Sequence, residues 1–399
     1  MYDAIVIGAR CADSPTAMLL ARKGYRVLLV DRATFPSDIM STHYIHQPGV
    51  AALTRWGLLD RLIATGCPPV SRFVLDLGDV RLTGSPPPVD GATVGYGPRR
   101  KVLDKLLVDA AAEAGADVRE SFTIEELVWV GDRVVGIRGH GRGGADVTEQ
   151  ARVVIGADGM HSLVARQAQA PSYHNRPALA CAYYSYWSGV PVEGFEIHLR
   201  THRVPWLMPT HDGLTMIGVG WPHDEFAAYR ADIEGNYLRT IELAPNLAER
   251  VREGKREERF MGTADLPNFF RRPYGPGWAL VGDAGYHKDP STAQGISDAF
   301  RDAELLAAAL DAGFAGRRPL DEALAEYERE RNEASLPMYD YTCQFATLDP
   351  PPEMRSLLGV LQGNQQETDR FFGTLAGAVS IPEFFAPEHL MEIMQPQVS

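Results

Sequence analysis

The chain has 399 residues, 45% hydrophobic and 23% charged, enough for one large core or two and inconsistent with a disordered chain. Lys and Arg total 39 against 52 Asp and Glu, a formal net charge of -13, which argues against a protein that tracks a nucleic-acid backbone. Cys11, Cys67, Cys181 and Cys343 show neither C-x-x-C spacing nor the density of a disulfide framework, so a reducing, cytoplasmic setting is expected, with no metal site. No basic and apolar stretch of the signal-peptide kind follows Met1, and the longest apolar run, near Leu305 to Ala309, is too short to cross a bilayer.

In chain order, the apolar run from Tyr2 to Ile7 predicts a buried parallel strand broken at Gly8. Pro15 suits a first helical turn and Gly24 a helix end, and Arg26 to Val30 reads as a second strand closing at Asp31. The spacing of Val50, Leu53, Leu58, Leu59 and Leu62 predicts a helix bent near Gly57. A hairpin is expected around Gly78 and Asp79, then a helix over Arg100 to Ala114 and strands at "ADVRE", "ELVWV", "RVVGIRG" and "ARVVIGADG". Residues 178 to 221 are strand-rich and aromatic; Tyr183, Tyr184, Tyr186 and Trp187 either wall a pocket or pack a core. Helix is expected from Asp224 to Leu243, a buried strand from Trp278 to Asp283, and helices over Gly295 to Asp311 and Pro319 to Glu333.

A strand, a glycine turn and a helix aim free N–H groups and the positive end of the helix dipole at an anion. Gly8 supplies such a turn, and Asp31, 23 positions on, is placed to accept hydrogen bonds from a ribose. The fingerprint is degenerate, with Arg10 and Asp13 in place of the second and third glycines, so a plain strand-turn-helix is the alternative. Two further strand ends carry Asp158-Gly159 and Gly282-Asp283, each an ordinary β-turn if taken alone.

In this order, the three sites resemble the signatures of single-component FAD-dependent monooxygenases, the class of p-hydroxybenzoate hydroxylase. The chain also resembles the geranylgeranyl reductase-like branch of that superfamily and, more remotely, the flavin halogenases. The likeness spans roughly residues 2 to 310 and implies an α/β fold: a Rossmann-like FAD-binding domain with a parallel sheet, an inserted, mostly antiparallel substrate sheet, and C-terminal helices. Residues 1–70, 97–172 and 271–345 would form the first domain, 71–96 and 173–270 the second, and 346–399 a helical and loop extension.

The same resemblance implies roles. Gly8, Arg10, Cys11 and Ala12 would hold the FAD pyrophosphate and Asp31 the adenosine ribose, with Arg32 nearby. Arg100 would open the helix flanking the cofactor. Asp158 would serve both FAD and NAD(P)H, and Gly282 and Asp283 would meet the ribityl chain. Pro290 would lie beside the isoalloxazine, with the N–H groups of Gly295 and Ile296 at its N1 and O2 edge. A helix starting there would favour the anionic reduced flavin on physical grounds alone. His43, His46 and His287 are candidate groups near the ring; for each the plainer reading is a hydrogen-bonded loop residue.

Departures from the family pattern are specific. Asp13 at ~6 Å from a phosphate would cost about 3 kcal/mol at an effective dielectric of 20. Arg10, Arg32 or Arg100 would offset this, or Asp13 would cap the helix and face away. Ala293 and Ser297 stand where the family has Gly and Asn, and "VPWLMPT" lacks the WxWxIP pattern of tryptophan halogenases.

The expected function is an FAD enzyme that takes hydride from transient NADH or NADPH, reacts with O2 to a C4a-hydroperoxide, and hydroxylates or epoxidises an apolar or aromatic small molecule. The alternatives are a flavin-dependent reductase of isoprenoid double bonds and a non-catalytic nucleotide-binding protein. A small-molecule substrate, no nucleic acid, no transmembrane segment, and a monomer or homodimer are expected. All of this requires the three loops to converge on one elongated ligand.

Overall fold

The run YDAIVI forms β1 (Tyr2–Ile7), and Gly8, at φ +109°, turns the chain into α1 (Asp13–Arg22), which returns it to β2 (Val27–Val30). This is a computed structural model that describes residues 1–394. β1 lies in the middle of a sheet ordered Trp278–Leu280, Asp146–Gly156, β1, β2 and Asp117–Arg119, all parallel. Both faces of β1 are buried. Ala4 and Val6 pack into a core with α1, α2 (Gln47–Trp56), α3 (Leu59–Ala64), α4 (Arg100–Glu113) and the long helix Gly295–Phe314, whereas Ile5 and Ile7 face the antiparallel strands Phe122–Val130 and Arg133–Gly141. This accounts for a strand with no polar alternation. The bend expected near Gly57 is a full break, since Gly57 is left-handed (φ +74°) and ends α2.

The second sheet runs Lys255–Arg256, Ala180–Ser188, Thr215–Pro222, Val204–Pro209, Phe195–His198, Phe73–Asp76, Arg81–Gly84. Its neighbours are antiparallel except Phe195–His198 beside Phe73–Asp76. The aromatic run on Ala180–Ser188 both packs a core and faces a site, because successive residues point to opposite faces. Tyr183 and Trp187 pack with Tyr229, Tyr237 and Leu247 of the covering helices. Tyr184 and Tyr186 point the other way, toward the segment after β2.

The helical stretch expected over Asp224 to Leu243 is interrupted at Asp232 and divides into Phe226–Ala231 and Ile233–Ile241, with a further helix at Pro245–Glu253. The helix expected to end at Glu333 spans Leu320–Phe345, through Pro337. A helical proline costs about 3 kcal/mol, offset here by burial of Met338, Tyr339, Tyr341 and Cys343. Between the two large sheets, Ser172–Arg176, Asn268–Arg271 and Tyr286–His287 form a small third sheet. The fully buried Arg331 guanidinium donates to the carbonyls of Gly285 (3.1 Å) and Arg271 (3.0 Å) and to the Tyr173 hydroxyl (2.8 Å).

The C-terminal extension contains four helices, Pro352–Leu361, Gln365–Ala376, Ile381–Phe384 and Pro387–Met394; residues 395–399 of that expected segment lie outside the described residues. Leu357, Leu361, Phe371, Phe372 and Phe384 share a core with Phe73 and Leu75 of the second sheet. Among the described residues no helix is long and apolar enough to cross a membrane, and no cluster of metal-ligating side chains is present.

Candidate active site

The three loops singled out above lie at the carboxyl ends of neighbouring parallel strands. Ala157 donates to the Ile7 carbonyl and Val281 to that of Gly156, both at 3.0 Å, so the loops leave side by side. A Cβ on Gly8 would stand 2.9 Å from the Ala157 carbonyl oxygen, and one on Gly282 (φ +60°) 2.6 Å from the Ala12 Cβ. Only glycine permits either approach. Arg271, which no sequence motif marks, joins the second and third loops by donating to the carbonyls of Met160 (2.9 Å) and Ala284 (2.8 Å). Burial lowers its pKa, and the nearby Asp158 raises it.

Asp31 accepts from the N–H of Ala9 (2.9 Å) and of Ala33 (2.7 Å), which fixes its carboxylate beside the first loop. Arg32 is exposed. Arg10 and Arg100 are not free counter-cations, contrary to expectation. Both are bound to the fully buried Asp104, Arg10 at 2.5 Å and Arg100 at 2.9 Å, and the Cys11 thiol lies 3.5 Å from the same carboxylate. Asp104 was legible only as the i+4 partner of Arg100 on one helix face.

Asp13 is not a cap facing away. Ala12 holds the N-cap position without a side-chain cap, and Asp13 is the first residue of α1. Its buried carboxyl is turned inward: Oδ1 accepts from the Ala12 N–H (3.2 Å) and Oδ2 fills the space beside Gly8. Burial and then the charge of Asp31 hold its pKa well above the usual carboxylate range.

In the second loop, Asp158 accepts from the Ser162 hydroxyl (2.5 Å) and the Leu163 N–H (2.6 Å), so it stabilises the start of the short helix Leu163–Gln167. Burial raises its pKa. In the third, Asp283 is exposed at the loop edge.

Beyond Asp283 the chain reaches Pro290 in a single 3-10 turn capped by Asp289, whose Oδ1 accepts from the Ser291 N–H at 2.9 Å. Ala293 then takes a left-handed conformation (φ +53°) where the family pattern has glycine. The 20-residue helix begins at Gly295, which is exposed with open space where its Cβ would be, while Ile296 is buried. The segment after β2 is fastened to this turn: His46 Nε2 lies 3.0 Å from the Thr292 carbonyl. Burial lowers the His46 pKa to about 4 and the His43 pKa to about 3, so both rings are neutral.

His43 Nε2 is 2.9 Å from the Tyr186 hydroxyl, and the Arg99 guanidinium lies 3.8 Å from the Tyr186 ring centroid. Arg99 in turn pairs with Asp38 (2.7 Å) and Glu258 (2.8 Å), linking the segment after β2 to the second sheet. The chain's sequence order hides this link. His287 is buried, its Nδ1 on the Pro267 carbonyl and its ring stacked on Phe269, so it is hydrogen-bonded as the plainer reading had it, but within a strand of the small third sheet and not in a loop. Lys288 pairs with Asp298 and with the Tyr286 hydroxyl. Asp289 has its pKa raised to about 6 by burial, and its Oδ2 has no partner among the described residues. The Nδ1 atoms of His43 and His46 and the Tyr44 hydroxyl are likewise buried and unpartnered. A cavity of about 640 Å3 bordered by Tyr183, His223, Phe226 and Arg230 lies on the opposite face of the second sheet.

The residues present fit a flavin dinucleotide. Two glycines keep the first loop close to its neighbours, Asp31 is fixed beside it, and the open N-terminus of a long helix follows the Pro290 turn, near buried polar atoms that lack partners. Residues 1–341 match the family model described as FAD binding domain. The chain belongs to that family and is an FAD-dependent oxidoreductase. It is 28% identical to a digeranylgeranylglycerophospholipid reductase of Methanocella arvoryzae, over 84% of this chain and 83% of that one. The fold is shared with the myxobacterial chondrochloren halogenase CndH (TM-score 0.80, 22% identity, 98% of this chain and 95% of that one). It is shared also with Pseudomonas aeruginosa PqsL in complex with 2-aminobenzoylacetate (TM-score 0.77, 22% identity, 93% and 99%).

Proposed function

We propose that the chain is a monooxygenase that takes hydride from NADH or NADPH and places one atom of O2 on an apolar or aromatic small molecule. FAD, when bound, supplies the electron transfer and oxygen chemistry. The backbone of Gly8 to Ala12, with Asp31, Arg32, Asp158, Gly282 and Asp283, would hold it, with Gly295 and Ile296 at the flavin edge, while the Arg10 and Arg100 guanidiniums stay on Asp104. The second sheet, from residues 71–96 and 173–270, would present the substrate.

The observation that carries this reading is the aromatic core adjoining the Pro290 turn: Ala293, at the end of that turn, shares it with Tyr44, Phe73, Tyr184 and Tyr186, His46 ties to the Thr292 carbonyl, and the His43 and His46 rings are neutral. Lys288 is neutralised by Asp298. Aromatic surroundings of this kind favour a flat apolar molecule at the turn and exclude water. Pro290 and His43 would contact the reacting groups; His287 is proposed only to shape the turn. The test is turnover of the FAD-loaded chain with NAD(P)H under 18O2 against a panel of aromatic and isoprenoid compounds. Product heavier by one labelled oxygen supports the reading. Substrate-dependent NAD(P)H oxidation that continues without O2 and saturates a double bond overturns it.

That second outcome is a genuine rival, favoured by Asp289. A buried carboxyl with a pKa near 6 and a free oxygen next to Pro290 is suited to protonating the double-bond carbon adjacent to the one that receives hydride, and the Methanocella arvoryzae relative is named a reductase.

A further inference from the structure

Asp13 stands where the fingerprint calls for a third glycine, and its surroundings leave its charge without compensation. From the loop before α1, the Arg10 backbone N–H approaches it, while the Arg10 guanidinium lies on Asp104; from α4, Arg100 and Asp104 face it; from the end of β2, Asp31. The two guanidiniums are spent on Asp104, and the Cys11 thiol beside them is held neutral by burial. Three carboxylates against two guanidiniums leave the corner net negative before a pyrophosphate with two further negative charges arrives. The carboxyl is 97% buried, has no ion-pair partner among the described residues, and its two oxygens are differently placed: Oδ1 takes the Ala12 N–H, and Oδ2 occupies the cradle beside Gly8.

We propose that FAD binding to this chain takes up one proton from solvent onto Asp13, whose neutral carboxyl then donates from Oδ2 to a pyrophosphate oxygen. Oδ1 keeps its bond from Ala12. The substitution that looks like a spoiled fingerprint is thus a hydrogen-bond donor that makes cofactor affinity depend on pH. The high pKa of Asp13 in the free protein agrees with this, and an adjacent phosphate raises it further. The flavin pyrophosphate stays fully ionised near neutral pH, and His43 and His46 titrate far below it. Asp289, with a pKa of about 6, also titrates in this window, and the test controls for it.

The inference rests on FAD being the cofactor, and the experiment separates the two. FAD is titrated into the full flavin-free chain from pH 5.5 to 8.5, with affinity read from flavin fluorescence, for the native protein and for Asp13→Asn, Asp13→Gly and Asp289→Asn. Affinity in the native chain should weaken by about tenfold per pH unit over part of that range. The slope should vanish in Asp13→Asn and Asp13→Gly, bind more tightly than the native chain at pH 8.5 in both, and persist in Asp289→Asn. Calorimetry in two buffers of different ionisation heat should show uptake of close to one proton by the native chain and none by Asp13→Asn. Tight binding with no slope, or the same slope in Asp13→Asn, overturns this inference and leaves the cofactor reading intact. Absence of FAD binding in every folded variant at every pH overturns both.

Discussion

His46 Nε2 stands 3.0 Å from the Thr292 carbonyl oxygen, which ties the segment behind β2 to the turn ahead of the long helix. Because burial keeps the ring neutral, the hydrogen must sit on Nε2 and Nδ1 is a bare acceptor. The folded-state pKa of about 4 lies below the ordinary histidine value, so the unfolded chain binds this proton first as pH falls. The stabilising contribution is therefore whole above pH ~6.5 and is lost toward pH 4, at about 1.4 kcal/mol per pH unit. His46→Gln should remove that share of the slope in urea denaturation at pH 7, 6 and 5. Parallel slopes for the two proteins would refute the assignment.

Gly282 and Gly159 make a matched pair. Both are left-handed, but a Cβ on Gly282 would meet the Ala12 Cβ at 2.6 Å, while Gly159 faces open space. Gly159→Ala should cost about 1 kcal/mol of backbone strain. Gly282→Ala should cost more, about 2 kcal/mol or above, and should also weaken FAD by pushing the first and third loops apart. Equal losses of FAD affinity in the two variants would show that the close approach does not matter.

Ala293 tolerates its left-handed backbone because its methyl group is small and buried. Ala293→Gly trades backbone strain against a lost methyl contact and should fall within about 1 kcal/mol of the native chain. Ala293→Val adds a β-branch at positive φ and should cost about 2 kcal/mol or more. Thermal melts would check both; a Val variant as stable as the native chain would contradict the geometry.

Asp104→Asn should leave the buried Arg100 guanidinium and the partly exposed one of Arg10 without their carboxylate, at about 3 kcal/mol. Added FAD should recover part of that loss, because Arg10 and Arg100 become available to the pyrophosphate. The rise in melting temperature on adding saturating FAD should therefore exceed that of the native chain.

The parallel sheet and its three loops were legible because they are local: a buried run, a glycine, a helix and an acidic strand end lie within a few dozen residues. The start of the long helix at Gly295 was visible for the same reason. The Asp38–Arg99–Glu258 link and the Arg271 tie were not, because their members come from segments brought together only by the tertiary fold. Arg10 and Arg100 were recognisable as cations, but their use by Asp104 depends on the packing of α1 against α4. The extension past Glu333 was hidden by Pro337, a local signal that tertiary burial overrides.

Arg331 has a mechanical consequence. A guanidinium cannot shed its charge, and this one, on a fully buried residue, bonds to the Tyr173 hydroxyl and Arg271 carbonyl of the small third sheet and to the Gly285 carbonyl just before it. The strands that carry the chain between its two halves are thereby clamped to the helix behind them, so a wide jaw-like parting of the halves would strand that charge.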